Sequence, residues 1–540
     1  MTTTELPEDL VGATLTVPGL LDHAVERFGD REALVDRSVD PPVRLGWREY
    51  RDRARAAAQG FIAAGVQPGD RVSIWAPNTW EWPVVLVGLQ MAGAAVVPLN
   101  TRYKGGEAAY ILNRSRATAL VTVQGFLGND YVSMLEGHDL PHLKATVILR
   151  GDVPAGTVSC DDFIAAGATA EHEAELDRRL AALSPGDLSD ILFTSGTTGA
   201  PKGVMCTHEQ VVRAFESWAS LAGLKAEDRY LCINPFFHSF GYKAGIVASL
   251  VRGAALVPQA TFDVDEAIAT IEAERISCLP GPPTIYQTII NHPAFERDKV
   301  ASLRLAVTGA SSVPVQLIED MREILGFDTV LTAYGLTETS GIVTVSRHDT
   351  PIDIIANYSG RAIPGCEIRT VDESGSDVAA GEPGEVIVRG YQVMLGYFEA
   401  PEQTAETIDP DGWLHTGDIG ILNPDGYLRI TDRMKDMFIT GGFNAYPAEI
   451  ESILSTHPAI AASAVVGVPD ERMGEVGFAY VQLRPGVSAT PEELREWARE
   501  NMANYKVPRT FRIVEEFPLN AAGKVLKYEL RDHAAAEGNR

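Results

Sequence analysis

The stretch Thr194-Ser195-Gly196-Thr197-Thr198-Gly199-Ala200-Pro201-Lys202-Gly203 decides how this chain is read. It sets small, hydroxyl-bearing and glycine residues tightly around one lysine. Glycines let backbone N–H groups approach an anion and adopt positive φ, while the hydroxyls and the ammonium add donors. Such a loop suits a polyphosphate. Pro201 and Gly203 break the Gly-x-x-x-x-Gly-Lys-Ser/Thr order of a Walker A loop. Ile191-Leu192-Phe193 before it and Val204-Met205-Cys206 after it predict short strands, so the expectation is strand–loop–strand rather than a loop opening a helix. A Ser/Thr/Gly surface hairpin is the plainer alternative, and the placement of the lysine weighs against it.

Outward from the loop, helical and extended patterns alternate. Residues 54–64 carry apolar side chains at helical spacing, and 70–75 read as a strand entering a turn at Pro77-Asn78. A helix over 84–91 then precedes a strand over 94–98. The pairing recurs at 108–113 with 119–121, at 264–274 with 278–279, and at 315–325 with 329–332. This predicts an α/β protein whose large N-terminal domain holds mixed, largely parallel sheets. From about Gly360, short strands at 368–371, 384–388 and 427–430, separated by Gly, Pro and Asp turns, predict a β-rich section closing that domain. Beyond Asp432, a helix over 447–454, strands over 460–468 and 478–483 and a helix over 491–501 predict a small α+β C-terminal domain. Residues 534–540 are expected to fray.

Composition narrows the function classes. With 540 residues, 45% apolar and 22% charged, the chain has the make-up of a soluble multi-domain enzyme. A formal charge of −27 argues against non-specific binding to nucleic acid or to an anionic membrane surface. Cys160, Cys206, Cys232, Cys278 and Cys366 are odd in number and dispersed, with no Cys-x-x-Cys or Cys/His cluster, which argues against a disulfide framework or a zinc site and fits a reducing cytoplasm. The first residues lack the basic and apolar regions of a signal peptide. The apolar run 84–99 is interrupted by Gly88, Gln90, Gly93 and Pro98 and is too short to span a bilayer, so a buried helix followed by a strand is expected.

The phosphate-type loop resembles the signature of the adenylate-forming superfamily, which comprises acyl-CoA synthetases, peptide-synthetase adenylation domains and luciferases. Further signatures follow in that superfamily's order across nearly the whole chain. The resemblance implies ATP held by Thr194 to Gly199 and Lys202, with Gly309-Ala310-Ser311 against adenine. In Tyr334-Gly335-Leu336-Thr337-Glu338-Thr339 it implies Tyr334 at the nucleotide, Thr337 as a phosphate contact and Glu338 as the Mg²⁺ ligand, one carboxylate sharing the ion with substrate phosphates. Asp418 would accept from both ribose hydroxyls, and Arg433 would support the ribose or α-phosphate with its forked donor. Lys524, in Pro518-Leu519-Asn520-Ala521-Ala522-Gly523-Lys524, matches the catalytic lysine that contacts both the substrate carboxylate and the α-phosphate. A cation there spreads the negative charge that opposes carboxylate attack on phosphorus. His238 falls at the aromatic gate beside the acyl site. Plainer readings exist: a salt-bridged Glu338, a core His238, and solvated lysines at 435 and 524. The flanking patterns weigh against them.

The resemblance also implies domains at 1–432 and 437–540 joined by a hinge at 433–436 centred on Lys435. Rotation there would exchange Lys524, used in adenylation, for Gly441 and Gly442, which leave room for the tunnel of CoA, the co-substrate. The acyl pocket is expected along Phe240, Gly241, Tyr242, Ala244 and Ala333, where small residues leave volume between apolar walls for a bulky acid, fatty or steroid-derived. Residues 190–199, 232–246 and 279–287 resemble an actinobacterial subgroup that activates a propanoate on a bicyclic, ketone-bearing steroid remnant; Ser239 stands where that subgroup is expected to carry Asn. Lys243 is either a donor to a substrate ketone or a salt-bridged lysine. The rival readings are an adenylation enzyme delivering to a carrier protein, weakened by the short stretch after Lys524, and a luciferase-like oxygenase, which shares every motif. A non-catalytic AMP-binding regulator is expected to lack Lys524 or Glu338.

Overall fold

The computed structural model describes residues 15–194, 201–309, 313, 315–433, 436–440, 443–470, 473–502, 504–519 and 525–538. Packing divides the chain into two compact units. The first comprises the chain to Glu367 together with Val388–Leu414; the second comprises Ile368–Ile387 and the chain from His415.

The first unit is built on an eight-stranded sheet. Arg71–Trp75 lies at its centre between Ala95–Pro98 and Ala119–Thr122, all parallel, and the sheet continues through Ala145–Ile148 to Val158–Ser159. These strands are short runs of Ala, Val, Ile and Leu, buried at nearly every position, as parallel strands covered on both faces must be. The helix Glu81–Met91 is buried along its whole length, Gln90 included, and leads into Ala95–Pro98. The apolar run is thus a core helix and strand, and among the described residues no helix is long and apolar enough to cross a membrane.

On the other side of the sheet, Ala95–Pro98 pairs parallel with Leu188–Thr194. That strand pairs antiparallel with Lys202–Thr207, and Gly396–Tyr397 closes the edge. The strand–loop–strand expectation therefore holds. Thr207 ends the second strand by capping the helix His208–Ala222, in a capping box with Gln210.

Two four-stranded sheets complete the unit. One orders Arg229–Cys232, Ala255–Pro258, Glu32–Asp36 and Val43–Gly46; the other orders Leu305–Gly309, Thr329–Tyr334, Thr344–Val345 and Arg361–Ala362. The strand expected at 278–279 is one bridging residue, Cys278, which pairs with Tyr230 on one side and Leu305 on the other. Residues 315–325 are not one α-helix but an α-helix, Val315–Asp320, continued by a π-helix, Met321–Leu325.

In the second unit, a four-stranded sheet orders Cys366–Val371, Pro383–Gly390, Leu414–Leu422 and Leu428–Arg433. Leu414–Leu422 escaped the sequence reading because His415, Thr416, Gly417 and Asp418 interrupt its apolar pattern. The C-terminal sheet is centred on the hairpin Ile460–Asp470 with Gly474–Leu483. Strand alternation splits its side chains between two cores. Ala464, Val466, Phe478 and Tyr480 pack with Leu530 and Ala534, whereas Val465, Ala479 and Val481 pack with Leu494 and Ala498. Leu530 and Ala534 lie one helical turn apart on Lys527–Gly538, so this segment is helical to Gly538 where fraying from residue 534 was expected.

Candidate nucleotide and acyl site

The phosphate-type loop rises from a locked base. Thr194 and Lys202 are directly paired across the two strands, as are Phe193 and Gly203. A Cβ on Gly203 would lie 2.7 Å from Ile191 Cγ2, so the close approach requires glycine. Ser195 to Gly199 lie outside the described residues. Lys202 at the loop's exit is half-buried, and its Nζ lies 4.8 Å from the centroid of the Tyr397 ring.

Tyr397 was not among the residues singled out from sequence. Its hydroxyl donates to Glu338 Oε1 at 3.0 Å, so one side chain touches both the loop lysine and the expected metal ligand. The backbone laces the same parts together. Phe398 N donates to Gly203 O (2.7 Å), Leu395 N to Met205 O (3.0 Å) and Met394 N to Glu338 O (2.9 Å). A Gly-Tyr-Phe run nearly two hundred residues after the loop carries no local signal of this; only strand pairing creates it.

Glu338 stands on a 3₁₀ turn, Thr337–Thr339, whose Thr339 Oγ1 accepts from Leu336 N at 3.0 Å. Ser340 (φ 57°) and Gly341 (φ 104°) then reverse the chain, and Ser340 Oγ donates to Gln392 O at 2.9 Å. Glu338 offers one hard oxygen donor of the kind a divalent cation takes. Among the described residues no three His, Cys, Asp or Glu side chains cluster, so a divalent ion at Glu338 would share one carboxylate with nucleotide phosphates, the ion's usual mode.

Gly309 and Ala333 are partners on parallel strands, and a Cβ on Gly309 would lie 2.7 Å from Ala333 O. Tyr334 follows directly and is half-buried. Ala310 and Ser311 lie outside the described residues.

Side-chain amides hold the segment leading to His238. Asn78 Nδ2 donates to Cys232 O (3.2 Å) and Asn234 O (2.9 Å), and its Oδ1 accepts from Phe236 N (2.7 Å). Asn234 donates in turn to Pro280 O at 2.9 Å. His238 caps the short helix Ser239–Gly241, its Nδ1 accepting from Phe240 N at 3.2 Å. The ring is open to solvent yet closely surrounded by protein, and this partial burial holds its pKa below the usual imidazole value. The neutral ring is thereby favoured over the imidazolium.

Phe240 and Ala333 are half-buried, while Gly241, Tyr242 and Ala244 lie within the core. Tyr242 hydroxyl accepts from Gln90 Nε2 (3.3 Å) and shares a bond with Ser189 Oγ (3.2 Å). Lys243 is fully buried with its Nζ 3.0 Å from Asp190 Oδ1, which decides between its two readings in favour of the ion pair. Burial opposes the ammonium most strongly of any single cause, but Asp190 and Cys206 together outweigh it and the net shift of the Lys243 pKa is upward.

In the second unit Asp418 is buried, and its backbone is the cross-strand partner of Arg433, so two residues separated by a long turn become neighbours. Glu385 organises the approach, accepting from Gly417 N (3.2 Å) and pairing with His415 Nδ1 (2.9 Å). Lys435, Gly441, Gly442, Lys524 and the Arg433 side chain lie outside what is described.

Residues 21–398 match the AMP-binding enzyme family, and residues 449–524 match the AMP-binding enzyme C-terminal domain. The chain therefore belongs to the AMP-binding enzyme family and has the fold of adenylate-forming enzymes. It is 48% identical, over 522 residues, to the 3-(7a-methyl-1,5-dioxo-octahydro-1H-inden-4-yl)propanoyl:CoA ligase of Rhodococcus jostii (strain RHA1), covering 96% of this chain and 98% of that protein. Identity to the ligase of the same name from Mycobacterium tuberculosis is 49% over 517 residues, with the same coverage. Among solved structures, the anthranilate CoA ligase AuaEII in complex with anthranoyl-AMP superimposes with a TM-score of 0.87 at 26% identity, over 100% of both chains.

Proposed function

We propose that the chain is an acid–CoA ligase acting on a propanoate borne by a methyl-dioxo-octahydroindene ring system. The carboxylate attacks the α-phosphorus of ATP, forming an acyl-adenylate and releasing pyrophosphate. The CoA thiol then attacks the acyl carbon, giving acyl-CoA and AMP. The observation that carries this reading is the 48–49% identity, over 96% of this chain, to ligases named for that acid.

In this reading Lys202 and the loop before it clamp the β- and γ-phosphates, Thr337 contacts phosphate, and Tyr334 with the Gly309 segment receives the base. Mg²⁺ held by Glu338 would neutralise phosphate charge during attack. Asp418 accepts from the ribose and Arg433 supports it. Lys524 bridges the acid and the α-phosphate, and a hinge at 433–436, about Lys435, exchanges it for the Gly441-Gly442 tunnel wall. The two family matches, which end at 398 and begin at 449, leave room for a hinge at 433–436. Neutral His238 gates the acyl site without charge.

The test is pyrophosphate release over a panel of fatty, aryl and indane-dione propanoic acids, each with and without CoA. The expected outcome is CoA-dependent turnover with kcat/KM highest for the bicyclic propanoate. Equal turnover across the panel would remove the substrate assignment, and adenylate formation without thioester would remove the ligase assignment.

A further inference from the structure

We propose that Tyr397 is a positioning residue of the nucleotide site, its hydroxyl holding the Glu338 carboxylate for Mg²⁺ and its ring holding the Lys202 ammonium beside it. This rests on the reading of Glu338 as the metal ligand. Three observations carry it. Tyr397 hydroxyl donates to Glu338 Oε1 at 3.0 Å, a bond to a charged acceptor that is stronger than its neutral counterpart and uses one of the two carboxylate oxygens. Lys202 Nζ lies 4.8 Å from the ring centroid, within cation–π range. Among the described residues Lys202 and Glu338 form no direct ion pair; the tyrosine engages both.

That arrangement has a physical consequence. A lysine and a glutamate free to meet would neutralise each other, and neither would serve the phosphates or the metal. The tyrosine satisfies each with a different part of one rigid side chain. It is 7% exposed, and a phenol is protonated at neutral pH, so its hydroxyl is a donor to the carboxylate. Its backbone is anchored without the hydroxyl. Tyr397 pairs with Val204 at the sheet edge, and its N–H donates at 2.9 Å to Thr404 Oγ1, on the helix Pro401–Thr407. Loss of the hydroxyl alone leaves these anchors in place.

The test compares Tyr397→Phe, Tyr397→Leu and Glu338→Gln in the full chain. ATP affinity is measured calorimetrically with Mg²⁺ and again with the metal chelated, and thermal unfolding is recorded for each. Tyr397→Phe is expected to weaken Mg²⁺·ATP binding about tenfold, the scale of one charge-assisted bond. Its metal-free ATP affinity and its Tm should stay at wild-type values. Tyr397→Leu, which also removes the ring from Lys202, should weaken both forms. Wild-type Mg²⁺·ATP affinity in Tyr397→Phe, or equal loss with and without metal, overturns the proposal. If Glu338→Gln keeps the wild-type metal dependence, the metal-ligand reading itself falls. If Glu338→Gln loses it and Tyr397→Phe does not, only the tyrosine's role falls.

Discussion

Glycines at the site do more than leave volume. Gly241 was expected to widen the acyl pocket, but a Cβ there would lie 2.1 Å from Pro235 O and 2.4 Å from Asn234 O, both backbone atoms. The missing side chain lets the helix at Ser239 start tight against the segment that Asn78 and Asn234 hold. Gly309 follows the same logic against Ala333 O. Neither contact can be relieved by a rotamer change, because the opposing atoms are main chain. Gly241→Ala is therefore expected to destabilise the protein by about 1–3 kcal/mol, the usual range for overpacking, and to displace His238. Urea unfolding with acid-dependent pyrophosphate release checks this; wild-type values in both would mean the backbone yields freely.

Between elements, the buried Lys243–Asp190 pair joins two that are distant in the chain. Asp190 is on the strand that enters the phosphate-type loop, and Lys243 is in the π-helix Tyr242–Val247 that follows the His238 segment. The neighbouring Tyr242–Ser189 and Tyr242–Gln90 bonds reinforce the junction. Removing one charge strands the other in a dry interior. Lys243→Met is expected to cost about 3–5 kcal/mol, whereas the double variant Asp190→Asn/Lys243→Met should lose much less than the sum of the singles. A double-mutant cycle by urea unfolding measures this coupling, and additive losses would show that the pair does not act as a unit. The pairing was open in the sequence because fifty residues separate the partners; the sheet and the helix packed on it bring them together.

For the molecule as a whole, acid sensitivity has an identifiable contributor. His208 is buried at the start of His208–Ala222, its Nδ1 accepting from Val17 N at 3.3 Å, and burial pushes its pKa down from 6.5 to about 3. Below pH 6.5 the unfolded chain takes a proton that the folded chain refuses. Its contribution is thus complete above that pH and is lost as pH falls toward 3, at up to about 1.4 kcal/mol per pH unit. His208→Gln, which keeps an acceptor without a titrating ring, should flatten the fall in stability between about pH 6 and about pH 4, as followed by urea unfolding at each pH. An unchanged slope would assign the acid sensitivity to other groups. At the same scale, the proposed exchange about Lys435 separates the half-reactions. Lys524→Ala should abolish acyl-adenylate formation while CoA transfer from supplied adenylate largely survives, and Gly442→Leu should do the reverse. Single-turnover assays of each step decide it; equal loss of both in either variant would contradict the division.

The order of motifs, the α/β alternation and the chemistry of the phosphate-type loop are local properties of the chain, and the sequence by itself determined them. Hydroxyls, glycines and a lysine at short spacing supply donors suited to an anion from local composition alone, and helical and strand periodicities depend only on neighbours. What the tertiary structure decided is which distant residues share a charge. Tyr397 between Lys202 and Glu338, and Asp190 beneath Lys243, depend on strand pairing and core packing across tens to hundreds of residues. A polar strand such as Leu414–Leu422 escaped for the same reason: its place comes from its sheet partners, not from its own apolar pattern.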